Sequence, residues 1–361
     1  MIKDKSMPIK KHLKRLERIR DTMFGRYDFL RLDKNENQVL FPDSFIVKIQ
    51  KQISPNFIST YPEIWPLYKK IAKWVGCHED NIYIAAGSDA AIKAVFEVFV
   101  RPKDKVLILH PSYAMYYVYA EMFQARVLKI GYGKDFSLST AEILKNIKKA
   151  RPRLVCIANP NSPTGTIISP KDLETIIKVS SKLKTVILVD EAYYLYYSHS
   201  VAALVDKYPN LVVTRSFSKA LGLASLRLGI AVGCKSMVAG LLKVRPMYEA
   251  NAFAALIGKT LLDNYALVTR NVNKTLEGKA YLEKCLRKMN VKYYKSYANF
   301  INIDVGSFQK SRWIAEEMKK RKILIKGGFK YPYLDTCIRV TIGPKEHMRR
   351  FIYELQKLLS Q

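Results

Sequence analysis

Leu211-Val212-Val213-Thr214-Arg215-Ser216-Phe217-Ser218-Lys219-Ala220-Leu221-Gly222-Leu223-Ala224-Ser225-Leu226-Arg227-Leu228-Gly229 begins as a continuous apolar run and breaks into hydroxyls and cations within a few residues. A short Leu/Val run ended by polar residues reads as a buried strand. Ser216, Ser218 and Lys219 therefore stand where a strand empties into a loop, the usual address for ligands in an α/β domain. The stretch supplies one amine able to condense with an aldehyde, and in Ser216, Ser218 and Arg227 several donors for a phosphate. On these residues alone a plain solvated turn is the favoured reading; the rest of the chain overturns it.

Upstream the same pattern repeats. Apolar runs at 82–86, 106–109, 126–130, 154–158 and 186–189 alternate with helical patterns at 90–100, 115–123, 140–149 and 172–183, and one more apolar run follows at 230–233. Continuous rather than alternating apolar strands, each separated by a helix, predict an α/β fold: a mainly parallel sheet covered by helices on both faces. Ligands then bind beyond the carboxyl ends of the strands. Gly87-Ser88-Asp89, Tyr113, Asn161-Ser162, Asp190, Tyr193 and 216–219 all fall at such ends. Gly87 permits close backbone approach, and the amides of Ser88 and Asp89 at a helix start form an anion site, although alone they would be an ordinary cap. Convergence of this kind is not expected of unrelated turns.

Downstream, 253–284 predicts a long or broken helical stretch, followed by shorter elements: strands at 299–305, 323–326 and 337–341 and helices at 311–321 and 345–359, a smaller α+β unit. Before the repeats, 1–26 has the spacing of an amphipathic helix through Ile9, Leu13, Leu16 and Ile19. The polar segment 31–37 is either turn chemistry or part of a pocket. The expected division is an N-terminal arm and part of the small domain at 1–40, a large domain at 41–265 and the small C-terminal domain at 266–361.

The chain has 361 residues, 49% of them apolar, enough for a sizeable core. Its five cysteines are odd in number and scattered, which predicts no disulfide framework and a reducing cytoplasm. No long apolar stretch follows the basic start, so neither a secretory signal nor a membrane span is expected. A net charge of +30 raises nucleic acid as a partner. The basic residues are spread along the chain without a nucleic-acid motif, however, and an anionic small substrate fits as well. The five histidines show no metal-ligand spacing, and there is no Gly-x-Ser-x-Gly elbow or Walker loop.

Asp190 ends a buried strand, where its charge is expensive without a cationic partner. A protonated pyridine nitrogen supplies one and makes the ring an electron sink, which points to pyridoxal 5′-phosphate. Tyr193 can then hydrogen-bond the ring's phenolic oxygen, Tyr113 can stack on the ring, and Ser216, Ser218, Arg227 and the 87–89 amides can anchor the phosphate.

Leu32 to Asn37, Tyr61-Pro62, Gly87-Ser88-Asp89, Pro111-Ser112-Tyr113, Pro160 to Gly165, Asp190-Glu191-Ala192-Tyr193, Ser216 to Gly229, Ala298-Asn299-Phe300 and Cys337-Ile338-Arg339-Val340-Thr341 occur in this order. Together they resemble a fold-type I, class I/II pyridoxal-phosphate aminotransferase, most closely the histidinol-phosphate branch. The resemblance implies that Lys219 joins the cofactor covalently and shuttles a proton, and that Arg339 takes the donor's α-carboxylate as a bidentate pair. It also implies substrate contacts from Asn35 and Asn299, and a homodimer in which Tyr61 reaches the neighbouring subunit's cofactor phosphate. Two positions depart from the pattern: Ser162, with Asn161 one earlier, stands where the family usually has an asparagine for the ring oxygen, and Lys326 stands where the branch tends to carry an arginine for substrate phosphate. The expected activity is amino transfer from a donor such as glutamate to a small, possibly phosphorylated carbonyl compound. Decarboxylation of phosphoserine or phosphothreonine, and nucleic-acid binding on an inert fold, are the alternatives.

Overall fold

The computed structural model describes residues 9–16, 18 and 23–361. Twelve strands appear in chain order: β1 (Leu30–Arg31), β2 (Ile82–Ala85), β3 (Lys105–His110), β4 (Arg126–Gly131), β5 (Leu154–Ala158), β6 (Val186–Asp190), β7 (Leu211–Ser216), β8 (Gly229–Gly233), β9 (Tyr293–Tyr294), β10 (Phe300–Asp304), β11 (Ile323–Leu324) and β12 (Cys337–Thr341). Seven of them form one sheet in the order β2-β8-β7-β6-β5-β3-β4. All neighbours in it run parallel except β8, which is antiparallel to both β2 and β7.

Successive residues of a strand face opposite sides of the sheet, and here both sides are apolar. Ile187, Val189, Val155, Ile157, Leu211 and Val213 meet helices Trp65–Val75, Thr140–Ala150, Pro170–Lys182 and Ala252–Asp263 on one side. Val186, Leu188, Leu154, Cys156 and Val212 meet helices Ser88–Phe99, Ala114–Met122 and Lys235–Leu242 on the other. This is why the sequence carries unbroken Val/Ile/Leu runs instead of alternation. The same parity aims Asp190 and Thr214, one step beyond Leu188 and Val212 on the same face, at the helix that carries Tyr116.

A second core is built on the antiparallel sheet β12-β10-β9 and the parallel pair β1-β11. Leu32, Leu282, Ile301, Ile303, Ile314, Val340 and Phe351 meet inside it. Lys326 bridges Arg339 in antiparallel fashion, so these two residues stand directly opposite one another.

Of the two forms expected of 253–284 the broken one is found, and two other expectations change. The 253–284 stretch is two helices, Ala252–Asp263 and Ala266–Lys288, parted at Asn264, whose side-chain amide donates to the Thr260 carbonyl at 2.6 Å and competes with the helical ladder. The strand expected at 323–326 is confined to Ile323–Leu324, where it pairs with β1. Of the N-terminal amphipathic helix, the described part holds a short 3-10 helix, Lys11–Arg15, with Ile9 exposed; residues 1–8, 17 and 19–22 lie outside the described residues.

Candidate active site

A cavity of about 710 Å³ lies beyond the carboxyl ends of β5, β6 and β7 and is closed on its far side by Lys326, Phe329, Tyr331 and Arg339. Asp190 reaches into it from the end of β6. Its Oδ1 accepts from the Thr214 hydroxyl at 3.0 Å and the Ala192 amide at 3.1 Å, and its Oδ2 accepts from the Tyr116 hydroxyl at 3.1 Å. The side chain is almost fully buried, and burial lifts its pKa from 3.8 to about 6 although all three hydrogen bonds favour the charged form. Desolvation outweighs the donors, so a cation beside the carboxylate would stabilise its ionised form.

Lys219 follows β7 and donates from Nζ to the Lys34 carbonyl at 2.8 Å. Burial, reinforced by the positive Arg339, lowers its pKa to about 8. Near neutrality a useful fraction of the amine is therefore unprotonated and nucleophilic.

The wall beside it is built for an anion. Ser216 accepts the Ser218 amide at 3.0 Å, and Arg227, held in the left-handed region at φ 53°, donates from Nη1 to Ser218 Oγ at 3.3 Å. A Cβ at Gly87, where φ is +87°, would sit 2.7 Å from the Arg227 guanidinium, and one at Gly229 would run into the Ser88 amide. Both glycines let β8 and the start of helix Ser88–Phe99 close up, which brings Ser88, Asp89 and Arg227 to one wall. Tyr113 caps the neighbouring helix and donates to Asp89 at 3.3 Å.

Opposite stands the segment 33–36. Asn35, at φ 56°, donates from Nδ2 to the Tyr193 hydroxyl at 2.8 Å and receives Asn299 Nδ2 on its carbonyl at 3.1 Å. Tyr193 is buried edge-on to Phe300, with ring centroids 5.5 Å apart, and burial pushes its pKa up. Arg339, on β12, donates from Nη2 to the Asp33 carbonyl at 3.0 Å, lies 5.3 Å from the Phe300 ring, and has a buried Nε without a hydrogen-bond partner among the described residues. Lys326 completes this rim.

Most residues expected of the site thus come together: Ser88, Asp89, Tyr113, Ser162, Asp190, Tyr193, Ser216, Ser218, Lys219, Arg227, Arg339, Lys326 and Asn35 all line the cavity. Gly87 stands behind Arg227, and Asn299 acts one layer back, through Asn35. Asn161 is a correction. It is turned away from the cavity: Nδ2 donates to the Pro111 carbonyl at 3.0 Å and Thr164 Oγ1 at 2.8 Å, and Oδ1 accepts from the Ser112 hydroxyl at 2.7 Å, so its amide is spent on tying its loop to the segment that follows β3. Ser162 alone of that pair faces inward. Tyr61 is 72% exposed, outside the cavity, and stacks on Tyr248.

Sequence reasoning missed Tyr116, Thr214 and Gly229. Tyr116 lies one helical turn after Tyr113, and Thr214 pairs in register with Asp190, a signal that needs the strand pairing to be known.

The aminotransferase class I and II family model matches residues 27–355. The chain belongs to that family. It is a pyridoxal-phosphate-dependent aminotransferase, acting on small-molecule amino donors and acceptors. It is 34% identical over 334 residues to histidinol-phosphate aminotransferase 1 of Carboxydothermus hydrogenoformans, covering 91% of this chain and 93% of that protein. In fold it is similar to the histidinol-phosphate aminotransferase of Sinorhizobium meliloti solved with pyridoxal-5′-phosphate (TM-score 0.83, 19% identity, 92% and 91% of the two chains). It is also similar in fold to the L-threonine-O-3-phosphate decarboxylase of Porphyromonas gingivalis (TM-score 0.76, 20% identity, 92% and 100%). Between the two reactions left open by the sequence, the family and its curated relative favour amino transfer. The residues present fit the cofactor of this aminotransferase: Asp190 is buried with hydrogen-bond donors but no ion-pair partner among the described residues, and Ser88, Ser216, Ser218 and Arg227 line the same cavity with donors for a phosphate.

Proposed function

We propose that this aminotransferase exchanges the amino group of a glutamate-like donor with a small phosphorylated carbonyl acceptor of the histidinol-phosphate kind. The observation that carries this reading is the opposition of Arg339 and Lys326 across one antiparallel bridge, on the rim of the cavity that holds Lys219. Two cations on one face suit a substrate with an α-carboxylate or a distal phosphate, and the curated relatives are histidinol-phosphate aminotransferases.

Pyridoxal phosphate, when bound, supplies an aldehyde for amine exchange and an electron-poor ring that takes up the electron pair of a Cα–H bond. In this reading Asp190 holds the ring nitrogen protonated, and Tyr193 and Ser162 address the phenolic oxygen. Tyr113 covers the ring, while Ser216, Ser218, Arg227 and the amides of 87–89 hold the phosphate. Lys219, with its pKa near 8, accepts the proton from the substrate's Cα and returns it on the other side of the exchange. Arg339 orients the donor by its carboxylate, and Lys326 meets the distal anion as a point charge rather than a fork. Asn35 fixes the Tyr193 hydroxyl, and Asn299 fixes Asn35.

Glutamate and histidinol phosphate added separately to the loaded protein are each expected to bleach the cofactor's visible absorbance, with 2-oxoglutarate restoring it. No response to either compound would overturn the substrate assignment, and carbon dioxide released from phosphothreonine without a keto acid would replace it with the decarboxylase reading.

We also propose a homodimer in the cytoplasm. Tyr61 and Tyr248 stack at 4.3 Å on the surface, and the exposed apolar residues Ile58, Trp65 and Met247 belong to the same two segments. Sedimentation equilibrium at micromolar concentration is expected to give twice the 41.5 kDa chain mass, and a monomer would refute the assembly. The five free cysteines agree with a reducing compartment.

A further inference from the structure

Three consecutive residues of the segment before helix Asp43–Gln50 each touch a different functional group. The Asp33 carbonyl accepts Arg339 Nη2 at 3.0 Å, the Lys34 carbonyl accepts Lys219 Nζ at 2.8 Å, and Asn35 Nδ2 donates to the Tyr193 hydroxyl at 2.8 Å. From inside, the segment is tied by the Asn35 amide to Thr341 Oγ1 at 3.0 Å. From behind, a single side chain spans it: Arg26 donates from Nη2 to Asp33 Oδ1 at 2.7 Å and from Nη1 to Glu36 Oε1 at 3.0 Å. The two carboxylates so joined belong to the first residue of the functional triplet and to the residue directly after it. The pair geometry uses two nitrogens of one planar fork, and all three side chains are largely shielded, at 17%, 19% and 25% exposure, so it is screened less than a surface ion pair.

We propose that Arg26, which itself touches neither the cavity nor the amine, is a positioning residue: by clamping Asp33 and Glu36 it holds the two carbonyls and the amide between them against Arg339, Lys219 and Tyr193. The active-site amine and the substrate arginine are thereby set by a residue of the N-terminal segment, far from the sheet that carries Lys219.

The clamp also fixes charge. The groups acting on the Lys219 amine are Arg339 and Arg227, which disfavour its protonation, and Glu36 and Asp190, which favour it. Arg26, with help from Arg31 at 3.6 Å, neutralises Glu36. Freeing Glu36 strengthens its hold on the proton, and removing its charge weakens it.

The test is the titration midpoint of Lys219 in the full-length cofactor-free protein, read as the pH dependence of its modification by an amine-reactive reagent and located by peptide mapping. Arg26→Gln is expected to move the midpoint up by about half a pH unit or more, and Glu36→Gln to move it down. In the loaded enzyme, Arg26→Gln is expected to raise KM for the amino donor by roughly 10-fold with a smaller fall in kcat, and Arg26→Lys, which can still meet one carboxylate, to recover part of it. If Arg26→Gln fails to fold, the Glu36→Gln midpoint alone decides. Midpoints that stay put or move in the same direction, or an Arg26→Lys variant as impaired as Arg26→Gln, would overturn the proposal. The midpoint readout does not use the reaction, so a failed substrate assignment leaves it standing.

Discussion

Lys219→Ala is expected to lower the rate of amino exchange by roughly 10⁴-fold or more, measured as the single-turnover bleaching of the loaded protein by its amino donor. Lys219 is the cavity-lining amine whose pKa is pulled far down, to about 8, by burial and by Arg339. Lys326 also lines the cavity, but on the opposite rim, bridged to Arg339 rather than beside the anion wall. Alanine leaves that wall intact, because Ser216, Ser218 and Arg227 contact one another and not the amine. The variant should therefore still bind pyridoxal phosphate, non-covalently, and fail in the proton transfer. The sign of the wild-type pH dependence follows from the same shift. The folded value lies below the ordinary 10.5, so the amine loses its proton as pH rises through about 8, and the competent fraction of cofactor-free protein grows across that window. A variant that keeps its rate within ten-fold of wild type would remove Lys219 from the chemistry.

The second large effect runs in two directions at once. Asp190→Asn is expected to lower the exchange rate roughly 10³-fold, because an amide offers no charge to a protonated ring nitrogen. The same substitution should stabilise the cofactor-free protein. In the folded chain the Asp190 carboxyl titrates at about 6, above its ordinary 3.8, so the folded state binds this proton more tightly than the unfolded state does. Its contribution favours folding below about pH 4 and is lost as pH rises through about 6, leaving an ionised, underpaired carboxylate that costs about 3 kcal/mol at neutral pH. Urea unfolding of the cofactor-free forms should show Asp190→Asn more stable at pH 8 by about 1 to 3 kcal/mol and nearly equal at pH 4. Equal stability at pH 8 would mean that Thr214, Tyr116 and the Ala192 amide compensate the charge in full. Such opposition between stability and activity is expected where a functional group is held in an environment that disfavours it.

Much of this site could be read from residue order. The apolar runs at β3, β5, β6 and β7 are local signals, three to five residues long, and the polar groups at their carboxyl ends follow closely in sequence. A buried parallel strand can be recognised without its partners because burial on both faces leaves no alternation. The two-residue strands β1 and β9 are too short to carry any periodicity, and they went unread.

What the sequence determined by itself was the covered, mainly parallel sheet, its ligand-bearing edge, and the placing of Lys219, Asp190 and Arg227 at that edge, since each rests on contacts between near neighbours in the chain. The tertiary structure decided which of those side chains look inward. Asn161 is taken up by Pro111 and Ser112, 50 and 49 positions away, while Ser162 faces the cavity; Thr214 meets Asp190 only because β6 and β7 pair in that register; and Asn35 reaches Tyr193 across 158 positions and Thr341 across 306. Local periodicity encodes an element and its faces, but register and loop approach are fixed by contacts between distant segments, and those exist only once the chain has packed.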